Sequence, residues 1–527
     1  MELPKLNPTT RRIKREVVQM RGINYSDQLQ DGDLVDSYHL STRRYPYIST
    51  DYVDSVLSGY YKVTALTSWN GLVFVKNDGT DESPDYELYY RNWNGQATKI
   101  GAVTGGEKQF AAVNTKLVIW PDKKYLDTTN MTLHDLGASA TSTGSTFTEN
   151  KLELTGVSDL TSVFSKGDGL TITACSIDAN KKTFVVKEVT ADTITATTDD
   201  AFTEGDGGAV TIAREVPDMD FICESENRLW GCSSASQTIY ASANGDPCNF
   251  NVFEGTNFDS YAVAVGSEGD FTGCCKLSST VLFWKERVLH KMLGTYPAEY
   301  QLYTYTIEGL RKGCHKSQQV INDVLIYIGL HGVHAYSGNT PSLISANFGE
   351  RRFTDAVAGN DGNNYFLSCR EVSASTDTYN LFVYDTQRQI WLLRETGNAC
   401  VDFARTDDGL YYVSSGMIHS LDTAGALSSG AEWKARFAPF YETIEGRKRY
   451  SKLLFRLELP ATSSVTFEVR EDGGNWHTAK TVTGGVTDVI RVRVPIIRCD
   501  KWELRITGYG ACTILSFLRE FFVGGEQ

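Results

Sequence analysis

Proline is scarce, with 12 in 527 residues, and no apolar run approaches the roughly 18 residues that a membrane-crossing helix needs. The opening MELPKLNPTTRRIKRE has no apolar core, which argues against a secretory leader. The chain is therefore expected to be made in a cytoplasm and to stay soluble there, or to leave by another route. CxxC pairs are missing, and the eleven cysteines are scattered and odd in number. That pattern excludes a disulfide framework or zinc ribbon and suits buried strand residues in a reducing compartment. An excess of positive charge is missing too. The net charge of −14 argues against a broad basic face that grips phosphates. There is no GxSxG, Walker A loop, HExxH or catalytic cysteine context. No catalytic residue, cofactor or metal site is expected, and the chain is not expected to be an enzyme.

Helical periodicity is almost absent as well. Aromatics are plentiful (27 Tyr, 24 Phe, 9 Trp), and with 46 Gly they favour strands joined by tight turns. One unit recurs: a polar turn, an apolar strand, a second turn, another strand. It is visible in LTSWNGLVFVKND (66–78), FAAVNTKLVIWPDKKYLD (110–127), FICESENRLWGCSSASQTIYAS (221–242), LSSTVLFWKERVLHKML (277–293), VINDVLIYIGLHGVHAYSG (320–338) and DGLYYVSSGMIHSLD (408–422). The turns carry Asn-Gly, Asn-Thr, Glu-Asn, Asn-Asp or Asp-Gly, residues that tolerate the left-handed backbone of a tight hairpin. A repeat of about 35–50 residues is the blade period of a β-propeller. The expectation is an all-β chain with six or seven blades; a pair of β-sandwiches is the alternative.

Two segments break the rhythm. From 138 to 214 the chain is rich in Thr, Ser and Asp, with short strands between turns, and reads as a small inserted β-barrel. From 430 to 527, alternating strands such as KLLFRLELP and TDVIRVRVP read as a half-exposed C-terminal β-sandwich. The expected order is an N-terminal arm and entry segment (1–50), the first part of the propeller (51–137), the insertion (138–214), the rest of the propeller (215–429) and the sandwich (430–527).

Candidate chemistry is thin. A propeller glycosidase needs two carboxylates across a cleft, and 65 acidic residues single out no pair. Arg351-Arg352 and Arg311-Lys312 offer guanidinium or ammonium groups for an anion, but exposed charge after Gly-rich loops is the ordinary explanation. His331 and His334, at i and i+3 on a strand, point to opposite faces and make a poor metal pair. Asp472, Gly474 and Trp476 partly match the Asp-box of sialidases, and a hairpin accounts for them. Tyr89, Tyr90 and Trp93 would stack on sugars if they sit on exposed loops. In SANGDPCNF (242–250), Asn244 to Pro247 is a strong turn, and Phe250 and Phe253 are expected to cover a blade edge. The basic run Arg11, Arg12, Lys14 and Arg15 is either a solvated arm or a docking element for an acidic partner.

Three stretches resemble one family. MRGINYSDQLQDGDLVDSYHLSTRRYPYIST (20–50), ENRLWG with IYASANGDPCNF (226–250), and the closing RLELPATSSVTFEVREDGGNWHTAK through TILSFLREFFVG are similar to the tail-hub, nozzle or packaged-DNA stabilisation proteins of tailed bacteriophages. The resemblance implies a structural virion protein in the tail, assembled in the host bacterial cytoplasm. It implies a homo-oligomeric ring, a hexamer being favoured, below the portal and adaptors. Such a ring retains packaged double-stranded DNA and conducts it during ejection, without sequence-specific binding. The alternatives are a receptor- or glycan-binding tail protein and, further off, a propeller glycoside hydrolase.

Overall fold

The computed structural model describes residues 11–523 apart from 53, 198–199, 374–377, 422–430, 443, 445 and 495–497. Among the described residues there are strands and five short 3-10 turns, and no α-helix. Seven four-stranded sheets follow one another as the blades of a β-propeller, spanning 63–102, 109–135, 221–264, 273–306, 319–343, 353–397 and 400–421. The seventh has only three strands of its own, and the segment Ser55–Val56, from ahead of blade 1, pairs with Met417–Leu421 as its fourth.

The hairpin turns adopt the backbone that their residues allow. Asn70 (φ 44°) and Gly71 (φ 147°) turn blade 1, and Asn114 (φ 54°) turns blade 2. Glu226 and Asn227 (51° and 58°) turn blade 3, and Asn322 and Asp323 (50° and 61°) turn blade 5. Each inner hairpin then buries its apolar residues, as in Leu72 to Val75 and Leu117 to Trp120.

The chain divides into two compact units. One comprises residues 1–68, 326–335 and 342–527, and the other residues 69–325 and 336–341. In the first, blade 7 lies against Val63–Ser68, where the Leu66 amide donates to Asp402 (3.0 Å). The same unit holds the sandwich, built of two six-stranded sheets. One combines Glu432–Phe437, Trp502–Tyr509, Ser464–Glu471 and His477–Thr483 with Gly22–Ile23 and Asp33–Tyr38. The other combines Arg449–Glu458, Val489–Arg493 and Thr513–Val523 with Arg11–Val17, Leu40–Ser41 and Ile48–Thr50. Phe455 and Phe467 (ring centroids 4.2 Å) and Phe437 and Phe517 (5.1 Å) pack between them. Residues 11–50 thus contribute strands to both sheets.

In the second unit, the barrel expected over 138–214 is an eight-stranded sheet that stays open, its end strands Ser139–Thr141 and Gly205–Asp206 being unpaired with each other. It has its own core, with Phe147, Phe184 and Phe202 meeting edge to face. The turn at Asn244–Pro247 ties this insertion to the blades. Asn249 donates to Asp168 (2.9 Å) and Asp246 (2.5 Å) and accepts from the Gly169 amide (3.2 Å), while Lys116 pairs with Asp246 (2.9 Å). Phe250 is buried as expected, but Phe253 is 62% exposed, because the 251–260 loop is pinned from beneath instead. Fully buried Arg228 donates to the carbonyls of Ser242, Asn257 and Asp259. Replacing Asn249 with Ala leaves the Gly169 amide without its acceptor and removes one donor from Asp168, which keeps the Ser165 amide (3.0 Å) and Arg214 (3.2 Å). A loss of about 1–3 kcal/mol is expected, read as a lower denaturant midpoint.

Candidate functional site: a charge-balanced cleft

The first unit carries a cleft of about 970 Å3 between the turn at 24–33 and the segments 346–352 and 371–373. A second cleft of about 790 Å3 shares the wall formed by Asn24 to Asp27 and Arg351 and runs on to Arg436, Pro439, Tyr441, Arg470 and Glu503.

The turn is preset by two buried polar side chains. Asn24 donates to Asp33 (2.8 Å) and to the Gln28 carbonyl (3.1 Å), and its oxygen accepts from the Ser26 amide and hydroxyl. Asp33 also accepts from the Gln30 amide (2.7 Å) and Arg21 (3.1 Å). Its carboxylate is thereby spent on structure. Opposite, Ala346–Phe348 is a 3-10 turn ending at Gly349 (φ 59°), where an added Cβ would meet the Tyr25 carbonyl oxygen at 3.3 Å. The two walls are joined by a hydrogen bond from the Tyr25 amide to the Asn347 carbonyl (2.7 Å). Phe348 sits below them among Phe353, Phe382 and Trp391.

Arg351 is the hinge of the arrangement. Its guanidinium lies over the Tyr25 ring at 3.7 Å and pairs with Glu371 (3.4 Å). Burial pushes the Tyr25 hydroxyl up to about 12, against the pull of Arg351, so it stays a donor at any physiological pH. Arg352 pairs with Glu350 (3.4 Å), and Arg436 and Arg470 converge on Glu503 (2.9 and 2.7 Å). Arg436, Arg470 and Arg505 also lie over the Trp476 ring at 5.7, 4.9 and 4.4 Å. Across both clefts, five guanidinium groups (Arg21, Arg351, Arg352, Arg436, Arg470) meet five carboxylates (Asp27, Asp33, Glu350, Glu371, Glu503).

Of the residues singled out in the sequence, the structure brings Arg351 and Arg352 into this cleft. Lys312 pairs with Asp270 (2.8 Å) and takes no part. His331 is exposed and His334 buried, and no metal-holding group exists among the described residues. Asp472 (φ 43°) and Gly473 form the hairpin turn, with Asp472 accepting the Asp500 and Lys501 amides. Tyr89 and Tyr90 lie on the strand Tyr86–Arg91 and not on a loop, and both hydroxyls are used, on Asp78 and on the Asn70 carbonyl. Arg11, Arg12, Lys14 and Arg15 lie in the strand Arg11–Val17, where Arg12 pairs with Glu520 and Arg15 with Glu442. Tyr25 and Tyr441 were missed, because nothing local marks a cleft aromatic apart from a core one.

No family model and no curated protein sequence matches the chain. Among solved structures it is similar to the endosialidase of phage phi92 (12% identity over 90% of this chain and 84% of that one, TM-score 0.25). It is similar also to an exo-β-1,3-galactanase from Phanerochaete chrysosporium (9%, 55% and 92%, TM-score 0.23) and to an acylaminoacyl peptidase from Pyrococcus horikoshii (10%, 76% and 59%, TM-score 0.29). The expectation that the chain is not an enzyme is corrected by these matches, since an endosialidase and a galactanase stand among them. With TM-scores this low, the alignments transfer no residue, substrate or reaction.

Proposed function

We propose that the chain binds an uncharged, hydroxyl-rich saccharide in the paired clefts of its first unit, as a glycan-binding tail protein of a phage. The tail setting rests on the resemblance of residues 20–50 and of the closing segment. The saccharide reading rests on one observation, the charge balance of the clefts. A phosphate-rich ligand calls for net positive charge, and an apolar one for a mostly apolar lining. Preformed guanidinium–carboxylate pairs offer adjacent donors and acceptors, which is what vicinal hydroxyl groups bond to. The stacked Tyr25–Arg351 pair and half-exposed Tyr441 supply flat surface for the apolar faces of sugar rings.

The test is a glycan array probed with the full chain and with Arg351→Ala. Capture of neutral glycans is expected, with affinity falling about tenfold or more in the variant, equivalent to about 1.4 kcal/mol. Release of reducing ends from the captured glycan, followed in parallel, tells a hydrolase from a lectin. An array on which the protein captures nothing, or captures glycans equally with Arg351→Ala, defeats the proposal.

A further inference from the structure

The outer faces of the two sandwich sheets differ in how their charges are used. On the sheet that borders the cleft, Lys434 pairs with Asp36 (2.7 Å), Arg505 with Glu468 (2.6 Å), and Arg436 and Arg470 with Glu503. On the other sheet the strands run Arg11–Val17, Thr513–Val523, Arg449–Glu458 and Val489–Arg493 in lateral order. Their register sets Lys14 opposite Glu520, Glu520 opposite Lys452, and Lys452 opposite Arg493. The next row sets Glu16, Leu518, Leu454 and Arg491 side by side. This face carries seven cations (Arg12, Lys14, Arg449, Lys452, Arg456, Arg491, Arg493) against Glu16 and Glu520, besides the Arg44–Glu458 pair at its end. Arg12 and Lys452 share Glu520, and Glu16 is engaged by Ser516. Lys14, Arg449, Arg456, Arg491 and Arg493 are exposed, and among the described residues no carboxylate pairs with them.

Alternate residues on a strand are about 6.8 Å apart and neighbouring strands about 4.8 Å. Unpaired cations at that density repel one another, screened only by water and salt, and an acidic surface laid over them relieves that repulsion. The chain itself supplies one. With this face carrying a surplus of five positive charges, the rest of a chain of net charge −14 holds a surplus of nineteen negative ones. The insertion 138–214 alone has eleven acidic against six basic residues, with Glu149, Glu153, Glu188, Asp192, Glu204 and Asp206 exposed. We infer that the cationic sandwich face of one copy docks on the acidic insertion of a second copy. Such a contact joins two different patches, so it is heterologous and propagates head to tail. Its interleaved Leu454, Leu518 and Val489 give it apolar area, and the row at its other end sets Phe522 between Arg12 and Arg449.

The test is sedimentation velocity of the full chain at about 0.05 M and about 1 M salt, which shortens the screening length several-fold. Concentration-dependent association at low salt and its loss at high salt are expected. Arg491→Glu/Arg493→Glu and, separately, Glu153→Lys/Glu188→Lys are each expected to weaken association about tenfold or more, and an equimolar mixture of the two to restore it. All four positions are exposed on strands, and unchanged melting of each variant checks that folding is intact. A single species at every concentration in low salt overturns the inference, as does association that survives both reversals or a mixture that fails to restore it. Retention of duplex DNA by the same arginines without self-association would assign the face to nucleic acid and overturn it equally. None of these residues lines the cleft, so the glycan reading stands or falls separately.

Discussion

Replacing Arg394 with alanine is expected to cost about 3–5 kcal/mol, the usual penalty for breaking a buried ion pair from one side. Arg394 lies on Ile390–Gly397, the outer strand of blade 6, and its side chain is 4% exposed. One arm of the guanidinium bonds Asp51, and the other bonds Asp54 (2.5 Å) and the Tyr52 carbonyl (3.1 Å). Asp54 also accepts from the Tyr412 hydroxyl of blade 7 (2.7 Å). Immediately after Asp54 comes Ser55–Val56, the strand that completes blade 7. The same guanidinium therefore joins blade 6, blade 7 and the entry segment within the first unit. Its removal leaves Asp54 without a cation in a buried site and Asp51 with Arg43 alone, at 3.7 Å. Arg394→Lys keeps the charge but loses the fork, so an intermediate loss is expected. Guanidinium chloride denaturation of the three proteins checks this; an alanine variant within 1 kcal/mol of the parent would show that the contact carries no load.

Acidification is the second large effect. Burial holds His39 and His290 down to about 4, with the cations Arg394 and Lys285 respectively adding to the shift. His290 is fixed between Ser267 (2.7 Å) and Thr304 (2.9 Å). The sign follows from proton counting. Between about 6.5 and 4 the unfolded chain binds a proton at each ring and the folded chain does not. Stability is therefore full above the upper value and is lost as the pH falls through this window. The loss is at most about 1.4 kcal/mol per pH unit for each histidine. Urea denaturation at pH 7.5, 6 and 5 is compared between the parent and His290→Gln, because the Asp54 carboxyl, which burial raises to about 7, titrates in the same window with the opposite sign. His290→Gln is expected to flatten the pH dependence, while a slope unchanged by it would assign the effect elsewhere.

The blades were legible because their turn chemistry is local. Asn70-Gly71, Asn114 and Asn322-Asp323 mark hairpins in the sequence and adopt positive φ in the structure. The insertion was legible for the same reason, its short strands being bounded by Gly and Asn turns. What joins distant segments was not. Ser55–Val56 pairs with a strand more than 360 residues further along, and Arg11–Val17 with the last strand of the chain. Neither segment has an alternation that names its partner. Two outer blade strands, Ala97–Ala102 and Gln301–Thr306, are largely exposed and so lack the apolar pattern that marks the inner ones and the outer strand Ile390–Gly397. The cleft was illegible for a related reason. Arg351 and Arg352 stood out as charges, but the balance that gives them meaning needs Tyr25, Asp33, Glu371 and Glu503, which only the fold assembles.

The central claim, a saccharide seated in the first unit's paired clefts, is tested most directly by hydrogen–deuterium exchange with and without the neutral glycan that the array identifies. Slowed exchange in 24–33, 346–352 and 371–373, extending to 436–441, is the result this account predicts. Protection confined to the Tyr89–Trp93 region, or to the insertion, would contradict it.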